Sequence, residues 1–382
     1  MADDFTDVTT EGYGSRLGGS IIGVLIGIVL LPISIGLLYW NEGRAVEAQL
    51  ALTHGAKELV EIAPDRLDPT AEGKLVHLSG AMIVGAGAKD PLLGATGHDL
   101  ARLQRNVEMY QWKEQEQSTS HESVGGSKTT EKTYSYRQEW SSQAINSGAF
   151  KHPEGHQNPP MPVHTETFDS DDAKLGAYKL GAAVLDKIDD FKPFTPDQAL
   201  APPDGYRREG DGFFHGAGNP ASPALGDVKI SFNAVNAEPV SVVAGLSGGT
   251  LTEFHGANGY AIAMAQPGVA SAAELFKEKK QQEGNLSWIL RGVGWLVMFI
   301  GLMLIARPIS MALAFLPFLE GVAETGAFLI ALMVSLPLTL LIIAIAWITH
   351  RPILGVGLLV AAAAMFWALK GMRRKPAVAI SR

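Results

Sequence analysis

The chain has 382 residues, of which 47% are hydrophobic and only 18% are charged, with a formal net charge of −8. The charged fraction is low for a soluble domain, and an acidic balance argues against nucleic-acid binding, which needs a basic surface. The chain contains no cysteine, so disulfides, thiol catalysis, zinc–thiolate sites and iron–sulfur ligation are excluded.

An uncharged apolar stretch near the N-terminus predicts the first membrane span. No charged residue lies between Arg16 and Glu42, and about 20 apolar residues suffice to cross the hydrocarbon core of a bilayer. A secretory signal would be shorter and would begin with basic residues, whereas this chain begins with acidic ones. We therefore predict a cytoplasmic segment over 1–16, a retained span over 17–40, and a helix over 43–60 that continues from it.

Residues 41–287 predict a large extracytoplasmic α+β domain with a mostly antiparallel sheet. Its clearest feature is a long hairpin, because arms 107–117 and 132–140 alternate aromatic and polar residues around a Gly-Gly turn. Apolar residues at helical spacing predict a helix over 175–188, and the stretch from Ser271 to Glu274 predicts a capping box. Further strands are predicted at 74–82, 210–215, 228–234, 240–246 and 260–265.

Apolar blocks crowd the C-terminal quarter of the chain. They predict further membrane spans at 288–307, 325–349 and 352–369, which makes the protein a multi-pass helical membrane protein with four spans. The block 308–324 holds two prolines and is predicted to be an interfacial segment, with extension of a span as the alternative. The tail 370–382 is rich in Lys and Arg and is predicted to be cytoplasmic, so the large domain lies in a periplasm or lumen.

Two groups of residues in the domain have spacings that chemistry could use. His152, Glu154 and His156 lie within five residues and form a candidate metal site, although zinc pairs usually lie on a helix or have a distant third ligand. The alternative is an ordinary surface loop. Asp186, Asp189 and Asp190 could hold calcium or act as acid and base, or they could be a solvated helix end.

Signatures of catalysis are otherwise missing from the sequence. It has no Gly-x-Ser-x-Gly elbow, no phosphate-binding Gly-rich loop ending in Lys-Ser/Thr and no His-Glu-x-x-His. We predict no catalytic residue, no cofactor and no metal. The four apolar runs contain no acidic residue, which argues against proton-coupled transport.

The end of the first span is the most distinctive stretch of the chain. Trp40, Asn41, Glu42 and Arg44 come together there, and we predict that they form the junction between membrane and domain. Glycines in the first two spans, at Gly23, Gly27, Gly292 and Gly294, are predicted to let helices approach closely, either within one chain or between copies.

Distinctive motifs run along nearly the whole chain. They are NEGRA at 41–45, GKLVHLSGA at 73–81, RNVEMYQW at 105–112, TYSYRQEW at 133–140, INS at 145–147, GHQNP at 155–159, DKIDDF at 186–191, RREGDGFFH at 207–215, GDVKISF at 226–232, RGVGW at 291–295 and HRPIL at 350–354. Taken together in this order, they resemble the LUMA family, also called the transmembrane protein 43 family. The resemblance implies four spans, cytoplasmic ends, a large lumenal domain and no established catalytic residue. In animals it implies an organiser of the endoplasmic reticulum and inner nuclear membrane that self-associates and binds lamins and emerin-like proteins.

The composition favours a bacterial source, because the chain lacks cysteine and contains 42 glycines. In that case lamins do not carry over as partners, and the domain lies in the periplasm above the inner membrane. The predicted function is a non-enzymatic membrane scaffold that forms homo-oligomers and binds membrane lipids or protein partners. The alternatives are a membrane-bound envelope- or lipid-modifying enzyme and, less favoured, a channel or carrier.

Overall fold

The computed structural model describes residues 4–123, 127–313, 317–353, 356, 357 and 360. The chain forms two compact units. The first, here called the sheet unit, comprises Met1–Val8, Ala51–Thr119 and Thr130–Lys279. The second, here called the helical unit, comprises Thr9–Leu50, Ser120–Thr129 and Lys280–Arg382.

Four α-helices and many short strands make up the described residues. The helices are α1 (Tyr13–Glu58), α2 (Ala182–Leu185), α3 (Ala272–Leu313) and α4 (Pro317–His350). The strands are β1 (Asp4–Glu11), β2 (Val60–Glu61), β3 (Leu75–Ile83), β4 (Leu100–Glu122), β5 (Lys128–Ser141), β6 (Glu166–Asp169), β7 (Lys174–Leu175), β8 (Tyr178–Leu180), β9 (Lys192–Phe194), β10 (Tyr206–Glu209), β11 (Gly212–His215), β12 (Val228–Asn236), β13 (Pro239–Ser247), β14 (Thr250–Thr252), β15 (Phe254–His255), β16 (Ala261–Ile262) and β17 (Met264–Pro267).

The strands form two large sheets. An eight-stranded sheet has the order β1-β5-β4-β12-β11-β10, with β6 also paired to β4 and β9 to β12. A seven-stranded sheet has the order β17-β13-β14-β8-β7-β3-β2, with a further pairing of β13 to β3. Most of the pairings are antiparallel, and β2–β3 and β8–β14 are parallel. The prediction of a large, mostly antiparallel sheet domain is therefore confirmed.

The long hairpin predicted from the sequence is the β4–β5 pair. Strand β4 continues its pairing on the other side with β12, from Met109 opposite Val228 to Leu100 opposite Asn236. Alternate side chains of these strands, such as Leu103, Val107 and Ile230, are buried in one apolar cluster, because successive strand residues point to opposite faces.

Strand β13 is buried on both faces of its sheet. One face packs in the cluster that contains Val242 and Leu78. The other face, which includes Val243, packs against Leu52 near the end of α1 and Phe276 near the start of α3. This double burial explains the continuous apolar run of the strand, which is typical of strands covered on both sides.

The helix predicted over 175–188 is wrong for most of its length. Residues at its start form the β7–β8 hairpin, and only Ala182–Leu185 are helical. Gly176 turns the hairpin with φ of 59°, and a Cβ at this position would lie 2.0 Å from the carbonyl oxygen of Pro64. The helical spacing of the apolar residues arises because Leu175 and Tyr178, one on each arm, are both buried in the core.

Among the residues that the structure describes, three helices are long and apolar enough to cross a membrane. They are α1, α3 and α4, and each carries an internal proline, at Pro32, Pro308 and Pro337. Helix α3 continues through Pro308 to Leu313, so the first part of the predicted interfacial segment 308–324 extends a helix. Helix α1 continues to Glu58, in agreement with the predicted helix over 43–60. The predicted fourth span, 352–369, lies almost entirely outside the described residues.

The N-terminal residues form a strand that the sequence analysis did not predict. Strand β1 pairs with β5 at the edge of the eight-stranded sheet, and seven of its eight residues are exposed. In the sheet unit, the Oγ1 atoms of Thr6 and Thr133 lie 3.5 Å apart. In the helical unit, Arg16 forms an ion pair with Glu122 at 2.8 Å.

The hydrogen bonds of Asp172 in the sheet unit lead to a prediction of how stability changes with pH. The pKa of Asp172 lies below its usual value, because the Ser170 hydroxyl donates to Oδ1 at 2.6 Å and the Ala86 amide donates to Oδ2 at 2.7 Å. The contribution of a carboxylate with a lowered pKa is complete above its unfolded pKa of about 4 and is lost as the pH falls through the folded value. We expect Asp172→Asn to lower the unfolding temperature at neutral pH and to flatten its decrease from about pH 5 to about pH 3.

The matched control is Asp171→Asn, which changes the exposed neighbour by the same atoms. Thermal unfolding followed by circular dichroism across the pH range measures both variants. Equal pH profiles for the two would contradict the assignment.

Candidate functional site

A charged pair is buried inside the helical unit. Glu42 lies in the middle of α1, and its side chain is only 2% exposed. Arg291 of α3 binds it through two parallel hydrogen bonds, from Nε to Oε1 at 2.6 Å and from Nη2 to Oε2 at 2.8 Å. This two-point geometry is the strongest arrangement of an arginine and a carboxylate.

A tryptophan of α4 also contacts the carboxylate of Glu42. The indole Nε1 of Trp347 in α4 donates a hydrogen bond to Oε2 of Glu42 at 2.6 Å. The guanidinium of Arg291 also lies over the ring of Trp288, 4.7 Å from its centroid. Through Glu42, single side chains of α1, α3 and α4 are joined at one level of the bundle.

Two more polar contacts join α1 to α3 beside this pair. The amide Nδ2 of Asn41 donates to the carbonyl oxygen of Ser287 at 3.1 Å and lies 3.3 Å from its hydroxyl. Arg44 pairs with Glu283 at 2.5 Å. Arg44 comes after Asn41 in α1, whereas its partner Glu283 comes before Ser287 in α3, so the two helices run antiparallel.

A glycine lets the end of α4 approach α1. A Cβ at Gly43 would lie 3.1 Å from two atoms of the His350 ring, and this ring also packs against Tyr39 with centroids 5.4 Å apart. The next residue, Arg351, donates a hydrogen bond to the side chain of Gln49. Helix α4 is thus attached to the NEGRA segment by both apolar and polar contacts.

The helices pack closely along the apolar part of the bundle as well. A Cβ at Gly27 would lie 2.6 Å from the carbonyl oxygen of Gly301, and one at Gly294 would lie 2.6 Å from a methyl carbon of Leu38. Gly292, by contrast, has open space at its Cβ position. Two of the four glycines predicted to allow close approach therefore do so within this chain, as expected for small residues at membrane helix contacts.

We use the name buried polar cluster for Asn41, Glu42, Arg44, Glu283, Ser287, Arg291 and Trp347. Both carboxylate oxygens of Glu42 are occupied by donors of the same chain, so the arrangement is suited to holding helices together. Removing one partner of a buried ion pair costs about 3–5 kcal/mol, because the other charge stays buried without compensation. Loss of one member of the Glu42–Arg291 pair is therefore expected to weaken the contacts among the three helices.

Comparison with known proteins decides the family. A family model described as Transmembrane protein 43 matches residues 109–352. The chain is 33% identical to Transmembrane protein 43 of Mus musculus over 364 residues, which cover 91% of this chain and 90% of the mouse protein. The chain belongs to the transmembrane protein 43 family. The resemblance noted in the sequence is thereby confirmed.

Other members of the transmembrane protein 43 family match over similar lengths. The chain is 32% identical to Transmembrane protein 43 of Homo sapiens over 381 residues, 96% of this chain and 93% of the human protein. It is 31% identical to the Transmembrane protein 43 homolog of Drosophila melanogaster over 355 residues, 90% of this chain and 92% of the fly protein. No solved structure matches the chain.

The predicted junction residues of this transmembrane protein 43 relative do not all belong to one site. Asn41 and Glu42 are buried in the cluster, and Arg44, which also belongs to it, forms an ion pair with Glu283. Trp40 instead points outward, with 57% of its surface exposed, and does not belong to the cluster. An exposed tryptophan at the end of the apolar part of a helix is typical of the membrane interface.

The candidate metal residues serve another purpose in the structure. His156 is buried and stacks on Tyr136 with ring centroids 4.0 Å apart, and its Nδ1 donates to the carbonyl oxygen of His152 at 3.1 Å. Glu154 is exposed. Among the described residues, no group of three His, Cys, Asp or Glu side chains is placed to hold a metal ion.

Asp186 and Asp190 have different partners and do not form one site. Asp186 accepts a hydrogen bond from Arg102 at 2.8 Å, whereas Asp190 pairs with Lys192 at 3.2 Å. Arg102 also binds Asp169 at 2.7 Å. Asp186 and Asp169, which are themselves partly exposed, thus pair with the buried guanidinium of Arg102 in β4.

The partners of Glu42 are the residues that sequence analysis missed. Arg291 lies in the predicted span 288–307 and Trp347 in the predicted span 325–349, and the sequence indicated a partner for neither. The sequence did contain a signal for this pair. Glu42 and Arg291 have opposite charges, each adjoins a different apolar run, and each lies inside a family motif. Such pairs are common where helices meet in a membrane.

A conservative change at Trp347 tests the third contact of Glu42. Trp347→Phe keeps the aromatic packing but removes the donor to a charged acceptor, a contact worth about 1.5–3 kcal/mol. We expect a lower unfolding temperature in detergent, measured by the helical signal in circular dichroism. Trp40→Phe is the control on an exposed tryptophan, and an equal effect of both changes would count against the contact.

Proposed function

We propose that this member of the transmembrane protein 43 family is a non-enzymatic membrane scaffold that self-associates and recruits protein partners or lipids. The observation that carries the proposal is the buried polar cluster. Both oxygens of the Glu42 carboxylate accept hydrogen bonds from donors of the same chain, so this charge holds helices together and has no free oxygen for a substrate.

The outer surface of the helical unit supports contact with lipid. Large apolar side chains of α1 and α4 are exposed, as expected where the solvent is hydrocarbon. Trp288 is also exposed and lies near the level of the cluster, where interfacial tryptophans are common. Exposed apolar residues of the two helices include Ile21, Ile22, Leu25, Ile26, Ile28, Val29, Ile33, Phe328, Leu329, Ile330, Met333, Leu340 and Ile345.

The proposed topology places residues 1–16 and the basic tail 370–382 in the cytoplasm and residues 41–287 on the far side of the membrane. The basis is the charge asymmetry of the chain, since Lys and Arg cluster after the last apolar block. In a bacterium the membrane is the inner membrane and residues 41–287 are periplasmic. In a eukaryote the membrane is that of the endoplasmic reticulum or inner nuclear membrane.

The crossing by α1 is favoured by its composition. Each central Leu, Ile, Phe or Val contributes about 0.3–0.6 kcal/mol to insertion, and residues 17–40 contain more than a dozen such side chains in series without a charge. Exposed ion pairs are worth only about 0–1 kcal/mol each, so they do not offset the cost of leaving the apolar surface of residues 17–40 in water.

The mass of the native complex, extracted with its surrounding lipid, tests the proposed function. We expect several copies of the chain in one particle, with or without a second protein. Gly292→Leu, which fills an open position on α3, is the variant expected to change the copy number without disturbing the fold. A single copy that carries a stoichiometric metal or small molecule would instead favour a membrane-bound enzyme.

A further inference from the structure

A cavity of about 550 Å³ lies between α3 and α4 in the helical unit. This volume falls in the range of about 300–1,000 Å³ that is usual for pockets that bind small molecules. Its polar lining consists of Arg307 and Ser310 of α3 and of Glu324 and Thr325 of α4. The cavity is thus large enough for a ligand, and its lining carries one positive and one negative charge.

The cavity lies at the end of the apolar part of the bundle that is remote from the buried polar cluster. Arg291 of α3 belongs to that cluster, and Arg307 lies about 24 Å further along the same helix at 1.5 Å per residue. On α4, Glu324 directly precedes the uncharged run 325–349. The charges of the cavity therefore lie near one membrane interface, and those of the cluster lie near the other.

Apolar side chains line the part of the cavity that faces the middle of the membrane. The ring of Phe328 belongs to this lining and meets the ring of Phe299 edge-on, with centroids 5.3 Å apart. Met303 and Leu304 add apolar lining from α3. The cavity thus fits a ligand with a charged head and a hydrocarbon tail.

Both charged side chains of the cavity are available to a ligand. Arg307 and Glu324 are exposed, and within the described part of the chain neither has an ion-pair or hydrogen-bond partner. Ser310 is 3% exposed, and its hydroxyl has no hydrogen-bond partner among the same residues. These groups differ from the carboxylate of Glu42, whose two oxygens are both occupied. Ionisable residues at membrane depth that are left without a partner usually mark a functional site.

The two charges select the head group of a zwitterionic phospholipid. The guanidinium of Arg307 fits a phosphate, which arginine binds through two parallel hydrogen bonds. The carboxylate of Glu324 fits a primary ammonium, which donates hydrogen bonds to it. A quaternary ammonium is instead held by a cage of aromatic rings, and among the described residues that line the cavity Phe328 is the one aromatic side chain.

We propose that the cavity between α3 and α4 binds an aminophospholipid of the phosphatidylethanolamine class. Its phosphate lies at Arg307 and its ammonium at Glu324, with the hydroxyl of Ser310 as a further donor to the phosphate. Its acyl chains pack along Leu304 and Phe328. The inference rests on the proposed function, in which the protein recruits lipids, and it names the class of lipid.

Native mass spectrometry of the full chain measures the bound lipid. The purified protein is mixed with equal amounts of phosphatidylethanolamine, phosphatidylcholine and phosphatidylglycerol, and the bound molecules of each are counted. We expect phosphatidylethanolamine to bind about tenfold more tightly than the other two, because it alone offers a phosphate together with a hydrogen-bonding ammonium. Glu324→Gln should remove this preference. Equal binding of the three lipids by the unchanged protein, or the same preference in Glu324→Gln, would overturn the proposal.

Two substitutions of equal size locate the site. Ala327→Leu adds bulk to the wall of the cavity and should reduce binding of phosphatidylethanolamine about tenfold. Ala312→Leu adds the same atoms at an exposed position of α3 that does not line the cavity, and binding should stay as in the unchanged protein. Equal binding by the two variants would contradict the assignment to this cavity. Glu324→Gln keeps the test decisive if Ala327→Leu does not fold.

The same spectra separate this inference from the proposed function, because they give the number of protein copies independently of the bound lipid. Several copies that show no lipid preference would overturn the lipid site and leave the scaffold intact. A single copy that retains phosphatidylethanolamine would contradict self-association and support the lipid site.

Discussion

Replacing Glu42 with glutamine is expected to destabilise the helical unit by about 3–5 kcal/mol, because the charge of Arg291 then stays buried without its partner. Glutamine retains one oxygen for the indole of Trp347, so the loss of the ion pair dominates the effect. The measurement is the unfolding temperature of the full chain in detergent, followed by the helical circular dichroism signal.

Two further variants make the result specific to the pair. Glu58→Gln removes the same charge at the exposed last residue of α1, and we expect little change. Glu42→Leu combined with Arg291→Met removes both charges, and we expect this double variant to be more stable than either single one. Additive losses in the double variant would show that the two side chains act independently.

Gly27→Ala should separate α1 from α3. The added methyl group would lie 2.6 Å from the carbonyl oxygen of Gly301 and 2.9 Å from Cγ1 of Ile305, and the first of these is backbone that cannot rotate away. Overpacking of this kind costs about 1–3 kcal/mol, and the contact between the two helices is lost in part. The unfolding temperature in detergent measures the effect.

The same helix offers a matched control. A Cβ at Gly36 meets nothing within 4 Å, so Gly36→Ala should be neutral or stabilising by up to about 1 kcal/mol through better helix propensity. The two identical changes on one helix are therefore expected to have opposite signs. Equal effects at both positions would mean that helix propensity, and not the close contact with Gly301, decides the outcome.

The sequence predicted those elements whose signals are local. The β4–β5 hairpin was visible because Tyr110 and Trp112 alternate with polar residues before a Gly-Gly turn. The capping box was visible because Glu274 lies three positions after Ser271. The structure forms both of its hydrogen bonds, with the Ser271 amide donating to Glu274 at 2.8 Å. Uncharged runs predicted α1, α3 and α4, since insertion depends on composition.

Contacts between distant residues were not predictable in this way. Glu42 meets Arg291 across 249 residues, and no spacing rule joins them. The helix expected over 175–188 was wrong because apolar residues at helical spacing can also alternate across a tight hairpin around Gly176. His152 and His156 have a ligand-like spacing. Their rings instead stack on Phe5 and Tyr136, and His152 meets Tyr134 edge-on, contacts that only the fold creates.

The order of synthesis gives the Glu42–Arg291 pair a further consequence. The acid is made 249 residues before its base and 305 residues before its indole donor. At roughly 5–20 residues per second, the first helix waits about 12–50 s with its carboxylate uncompensated. During that interval water, lipid headgroups or another protein has to solvate the carboxylate. A chain cut short before Arg291 would therefore carry an inserted first helix with one unpaired charge.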